Sequence, residues 1–298
     1  MSTLVQSVDA FTHQGYKTPR ELNHYNEDRL VVGRNLFAVI DGATAVVNVD
    51  MGGLNPSAYI SNYLADYLMA VSADDPRTAL ELLTDANDAV REHFRTEWPE
   101  VFALGKLGPS CAAAIVRLHP ETNTMTVASV ADCSVVMRRK GKGWNVITPT
   151  RKGDGGQGRL SKRLHDVLAK QIAKGMTPEQ AKQSEPVQEI LKKNRMRVNV
   201  EFGSFNGEKD AEKFFFSQTL SLAELQHLAM FSDGLEDPDG ETHADQCVGA
   251  AQEMYARGVR NYHAFLKNDI FGLDEDFTRY PRAKHMDDST GIVLTFRP

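Results

Sequence analysis

Acidic residues in this sequence recur at one kind of place, the end of a β-like run where a strand would meet a loop. Asn26-Glu27-Asp28 precedes RLVV, and Asp41-Gly42 follows LFAVI. Asp132 follows MTVASVA, Asp233-Gly234 follows LAMFS, and Asp287-Asp288 precedes STGIVLTF. Carboxylates that converge at such ends repel one another and lose solvation, so they need cations. Magnesium and manganese are hard ions that take carboxylate, carbonyl and water oxygens. Two such ions about 4 Å apart can clamp a phosphoryl group and activate a water between them. The glycine after Asp41 suits this chemistry, because a residue without Cβ lets the backbone approach an ion closely. Asp-Gly is also an ordinary turn dipeptide, so neither pair alone points to a metal. The weight lies in five such sites, in order along the chain.

Strands must position these carboxylates, and the hydrophobic pattern supplies them. Leu4–Phe11 partly alternates, and Arg29–Val32 and Leu36–Ile40 form a hairpin pattern around Gly33. Further strand patterns fall at Cys111–Leu118, Thr124–Ala131, Val135–Arg139, Trp144–Ile147, Lys213–Ser217, His227–Phe231 and Gly291–Phe296. The continuous apolar run CAAAIVRL marks a strand buried on both faces. Asn55-Pro56-Ser57 starts a helix whose stripe is Ile60, Leu64, Tyr67, Leu68 and Val71. A second helix runs from about Pro76 to Arg95, with His93 on its apolar stripe as a packed histidine rather than a ligand. From about 151 to 213 the chain turns polar, with helical patterns at Leu160–Ala173 and Pro186–Lys193. This stretch reads as an insertion over the core. A further helix is expected at His243–Ala256. The order is not regular βαβ alternation, so the fold class is α+β, with helices packed on antiparallel sheets.

Bulk composition narrows the function classes. The 298 residues are 41% hydrophobic and 25% charged, ordinary for a globular chain, and suffice for one large domain or two small ones. The formal net charge of -6 provides no global basic field for nucleic acid. Three cysteines, Cys111, Cys133 and Cys247, fit no CxxC site or disulfide framework. They sit in apolar contexts, read as core, and point to a reducing, cytoplasmic setting. No signal peptide or membrane span is visible, so no membrane partner is expected. The glycine-rich Lys152–Arg159 does not match the GxxxxGK[ST] phosphate loop and reads as a flap loop. The basic run Lys192–Arg197 reads as a solvated helix end that could guide an acidic phosphopeptide.

The ordered set NED, FAVIDGAT, GPSCAAAIV, VASVADCSVVM, MFSDGLED and DDSTGIV resembles the type 2C serine/threonine protein phosphatases, the metal-dependent PPM class, in a bacterial-like form. The resemblance covers Asn26 to Phe296, and the polar middle resembles that family's variable flap. It implies a four-layer αββα sandwich of two antiparallel sheets flanked by helices, within a single domain over 1–298. It implies two Mn2+ or Mg2+ ions, with Asp41 bridging them and the Gly42 carbonyl binding one. Asp233 and Asp287 would complete the inner ligands, and Asp288 is the alternative to Asp287. Asp287 is preferred because the family's aspartate lies three residues before a Thr or Ser, here Thr290. Glu27 and Asp28 would hold metal-bound waters, and Asp132 with Asp233 would offer a third metal site. The implied reaction is attack of a water bridging the metals on the phosphorus of a phosphoserine or phosphothreonine in a protein, with no covalent enzyme intermediate. The protein is expected to be a monomer.

Two departures stand out. Many members of the family carry a phosphate-binding arginine where this chain has Asn23; Arg20 is the nearby candidate. Many carry a histidine after the Asp-Gly, proposed as the general acid, where this chain has Ala43; His24 and Thr44 are the nearest replacements. These departures keep two other readings open. One is a pseudophosphatase that binds a phosphoprotein or partner without turnover. The other is a phosphatase of a small phosphorylated metabolite.

Overall fold

The structure, a computed structural model, describes residues 4–18, 21–22, 24–43, 46–47, 49–150, 156–274, 279–280, 282 and 284–297. Its strands in chain order are β1 (Val5–His13), β2 (Tyr16–Thr18), β3 (Glu21–Leu22), β4 (Arg29–Val32), β5 (Leu36–Gly42) and β6 (Cys111–His119). They continue as β7 (Thr124–Val130), β8 (Ser134–Arg139), β9 (Trp144–Val146), β10 (Phe216–Ser221), β11 (Leu225–Phe231) and β12 (Ser289–Phe296). One sheet has the order β1-β12-β11-β8-β9 and the other β10-β7-β6-β5-β4, with every pairing antiparallel. The short β2 and β3 pair as a separate ribbon.

The side-chain period of two assigns each strand residue to a layer. On β5, Phe37 and Val39 point between the sheets, where they meet Val116, Val135, Leu228, Met230, Ile292 and Leu294. Leu36, Ala38 and Ile40 point the other way, onto α1 (Pro56–Met69) and α2 (Ala79–Glu97). The opposite outer face, with Phe11, Val136, Ala229, Phe231 and Val293, is covered by α7 (His243–Arg257) and α8 (Val259–Phe265). Helix, sheet, sheet, helix is the expected four-layer arrangement. Three apolar seams hold it, and each fully buried Leu, Ile or Phe in them contributes about 1.5–3 kcal/mol.

Local signals explain the helix boundaries. Asn55 caps α1, its Oδ1 accepting from the Ala58 N–H at 2.8 Å. α2 begins at Ala79 rather than near Pro76, because Thr78 and Glu81 form a capping box. β10 begins at Phe216 rather than Lys213, because Lys209–Phe214 is wound into a 3-10 helix. His93 is a packing residue as expected: its Nε2 lies 2.7 Å from Tyr59 Oη, and its ring stacks on Tyr63.

The polar insertion is helical: α4 (Gly156–Ile172), α5 (Pro178–Gln183) and α6 (Glu185–Arg195) follow the short α3 (Pro99–Phe102). The sequence pattern marked the first and last of these and passed over α5, whose start is a second capping box at Thr177 and Gln180. Leu168, Ala181 and Val187 give the three helices a small apolar core of their own. The chain returns from it by pairing Phe205 with Cys111 of β6, through two backbone bonds of 2.9 Å. Among the described residues no helix is long and apolar enough to cross a membrane.

Candidate metal centre

Asp41 continues the alternation of β5. Phe37 and Val39 face the interlayer core, so Asp41 faces it too, at the end where that core gives way to a cleft. Asp132 reaches the same cleft from the turn after β7, Asp233 from the end of β11, and Asp287 from just before β12. Four carboxylates from four strand ends therefore line one cleft of about 200 Å³, with Gly42, Ala43, Arg195 and Ser204 among its other walls.

A second rank of groups fixes these ends. Asp288 is in phase with the interlayer residues of β12 and is buried. Its two oxygens accept from the backbone N–H of Gly15 at 2.6 Å and of Glu27 at 2.7 Å. Asp288 thus ties three loops together, while its neighbour Asp287 is the one that lines the cleft. Glu27 Oε1 accepts from Asn55 Nδ2 at 2.6 Å, so the residue that caps α1 also holds this carboxylate. Asp28 is buried and accepts from the Ser232 hydroxyl at 2.7 Å; Ser232 in turn accepts from the Thr290 N–H at 3.0 Å.

Both Asp-Gly glycines have packing reasons. A Cβ at Gly42 would stand 2.6 Å from the Glu27 carbonyl oxygen, and one at Gly234 would stand 2.0 Å from the Asp288 carbonyl oxygen. Neither glycine has a positive φ. They are sites of close backbone approach, not left-handed turn residues.

The electrostatics show what the cluster lacks. Burial pushes the Asp41 carboxyl well above the usual carboxylate range, and Asp28, Asp233, Asp132 and Asp287 push it further. Burial does the same to Asp28, reinforced chiefly by Asp288 and opposed by the Ser232 hydrogen bond. Glu27 is also raised, by burial first. Hard oxygen donors, buried and mutually repelling around one cleft, are the donor set that suits divalent magnesium or manganese. The residues present therefore fit such ions.

Lys284 and Arg195 are among the described cations that approach these carboxylates. Burial alone would depress the Lys284 ammonium, but Asp287, Asp288 and Glu27 outweigh it and raise it; Lys284 Nζ pairs with Asp287 Oδ1. Arg195 comes from the last turn of α6. It is 9% exposed, its Nη1 donates to Ser110 Oγ, and its Nη2 donates to the Ala43 carbonyl at 2.7 Å. Burial lowers this guanidinium to about 10, with Glu27 acting against the shift. The basic run was expected to be a solvated helix end. Its outer members are, with Lys193 paired to Glu189 and Arg197 to Glu201. Arg195 instead points inward, because α6 ends over the cleft.

Of the other sequence candidates, Arg20, Asn23 and Thr44 lie outside the described residues. His24 is exposed, packs its ring on Tyr25 and does not line the cleft. Burial pushes the Cys111 and Cys133 thiols well up, consistent with core cysteines rather than nucleophiles.

No protein-family model and no curated protein sequence matches the chain. Solved structures do. The catalytic domain of the serine/threonine protein phosphatase PstP, solved with two manganese ions, matches with a TM-score of 0.58 at 17% identity, over 99% of this chain and 100% of that one. The Mycobacterium tuberculosis serine/threonine phosphatase PstP/Ppp matches at 0.54 and 17% identity, over 99% and 100% of the two chains. The serine/threonine phosphatase Stp1 from Staphylococcus aureus matches at 0.54 and 17% identity, over 100% and 97%. At such identity the likeness is one of fold: the chain is built from end to end on the architecture of bacterial serine/threonine phosphatases.

Proposed function

We propose that the protein is a metal-dependent phosphatase of the type 2C class that hydrolyses phosphoserine and phosphothreonine esters in proteins. The observation that carries this reading is the meeting of Asp41, Asp132, Asp233 and Asp287 in one cleft, on a fold shared with such enzymes. Asp41, Asp233, Asp287 and the Gly42 carbonyl would hold two Mn2+ or Mg2+ ions, and Asp132 with Asp233 would serve a third. When bound, the ions supply charge neutralisation for the phosphoryl oxygens and a water of lowered pKa.

The chain's own residues do the rest. Glu27 and Asp28, held by Asn55 and Ser232 behind the cleft-lining carboxylates, would orient metal-bound water by accepting its hydrogen bonds. Arg195 takes the place of the arginine missing at Asn23. A guanidinium carries five donors in a fixed fork that suits a phosphoryl group, and Ser110 and Ala43 hold this one at the cleft wall. The cleft admits a phosphoryl group but not a peptide, so a protein substrate would lie across its mouth.

The test is phosphate release from a phosphothreonine peptide and from a small aryl phosphate, with manganese, with magnesium and with chelator. Manganese-dependent release that favours the peptide supports the reading. Preference for small esters shifts the substrate to a metabolite. A folded protein that binds manganese yet releases nothing is a phosphoprotein-binding pseudophosphatase.

A further inference from the structure

A second set of donor atoms lies behind the acidic cleft, and its chemistry differs. Glu236, His243 and Cys247 bring a carboxylate oxygen, an imidazole nitrogen and a thiol sulfur within 4.8 Å of one another. Among the described residues this is the one group of three or more such side chains that close. His243 and Cys247 are four apart on α7 and so share a helix face. Glu236 comes from the turn that carries Asp233, its N–H bonded to the Asp233 carbonyl at 3.0 Å.

The spacings suit one small ion. His243 Nε2 lies 3.6 Å from Cys247 Sγ. Zinc bonds of about 2.0 Å to nitrogen and 2.3 Å to sulfur, at a tetrahedral angle, separate the two donors by about 3.5 Å. Glu236 Oε1 lies 2.8 Å from the same nitrogen, so a modest side-chain rotation opens the third edge. Ser134 Oγ lies 3.2 Å from the sulfur and can donate to a thiolate there. Cys247 is fully buried, while the His243 and Glu236 side chains keep 7% and 13% of their surface.

We propose that Glu236, His243 and Cys247 form a mononuclear site for zinc or a similar borderline-soft divalent ion, separate from the all-oxygen cleft. Thiolate and imidazole favour such an ion, whereas the carboxylates of the cleft favour magnesium or manganese. On binding, the metal–sulfur bond replaces the thiol S–H bond, and the proton leaves to solvent. The ion joins α7 to the Asp233 turn, with Ser134 at the head of β8 hydrogen-bonded to its sulfur ligand. It is therefore a clamp behind two strand ends that serve the cleft. This inference does not depend on the phosphatase reading.

Cobalt(II) titration of the purified metal-free protein tests it, because only a thiolate ligand gives the intense near-ultraviolet sulfur-to-cobalt band. The band is expected in the wild type and in Asp41→Asn, and lost in Cys247→Ser. His243→Gln is expected to weaken cobalt binding at this site at least tenfold, and circular dichroism on each variant separates loss of binding from loss of fold. No band in the wild type, a band that survives in folded Cys247→Ser, or unchanged affinity in His243→Gln would each overturn the site.

Discussion

Arg195 is the residue on which substrate binding should depend most, a buried guanidinium held over the cleft by Ser110 Oγ and the Ala43 carbonyl. The carboxylates were legible because each stood beside a strand pattern that fixed its direction. Asp41 follows Phe37 and Val39 in phase, so its orientation is a matter of counting. Arg195 was not legible, because its direction depends on where α6 ends in space, 152 residues from the Ala43 carbonyl it meets. Arg195→Ala should lower kcat/KM about 10- to 100-fold, mostly through KM, as expected for losing a charged hydrogen-bond donor to substrate. Arg195→Lys should restore only part of it, since an ammonium lacks the planar fork. Steady-state kinetics on the peptide decide this, and equal KM values for the three proteins would contradict the role. A second residue, Ala131, holds a φ of 64 beside Asp132. The left-handed region costs a residue with a Cβ about 1–2 kcal/mol, partly offset in glycine by its larger unfolded-state freedom. Ala131→Gly should therefore raise stability by about 0.5–1 kcal/mol, read from urea denaturation.

At the scale of the element, the frame was largely legible and the connections were not. The hairpin of β4 and β5, the all-buried β6 and the apolar stripes of α1 and α2 announced themselves by period, and the structure places them accordingly. The β2 and β3 ribbon was missed because two or three residues hold no period, and α5 because its six residues carry little apolar pattern. The meaning of the Asp-Gly pairs also needed the structure. From sequence, a turn and a metal loop were both open; the observed geometry is close backbone packing. Gly234→Ala would force a methyl group to 2.0 Å from the Asp288 carbonyl oxygen. The backbone at the ends of β11 and β12 must then separate. Thermal unfolding should show a loss of about 3 kcal/mol, at the upper end of ordinary overpacking, together with weaker manganese binding. An unchanged melting temperature would contradict close packing of the two strand ends.

At the scale of the whole molecule, stability should carry the mark of groups buried far from the cleft as well as within it. His263, on α8, is buried between Phe11 and His13, and its Nε2 has no hydrogen-bond partner. Burial first, then His13, Lys267 and Arg260, lower it to about 4. An unfolded histidine titrates near ~6.5, so the unfolded chain takes up a proton before the folded one does. The contribution of this site is complete above that value and is lost as pH falls toward 4. The loss should be on the order of 3 kcal/mol, and His263→Leu should remove it, so the difference between the two melting curves should change between pH 6.5 and 4 and stay constant above. The cleft works in the opposite sense. Glu27, Asp28 and Asp41 are raised by burial and mutual repulsion, so without metal the folded state loses ground as pH rises past the ordinary carboxylate range. Divalent ions that bind only the folded state should reverse this, by about 2.7 kcal/mol at a hundredfold excess over Kd.

If Asp41 helps hold the ions that hydrolyse a phosphate ester, its loss should abolish metal-dependent turnover. Phosphate release from a phosphothreonine peptide should be followed across a manganese titration for the wild type and for Asp41→Asn. Release by the wild type should saturate with manganese and stop with chelator. Asp41→Asn should release phosphate at least about 10²-fold more slowly at every manganese concentration, with the fold intact. Equal release by the two proteins, or release by the wild type that persists in chelator, would contradict it.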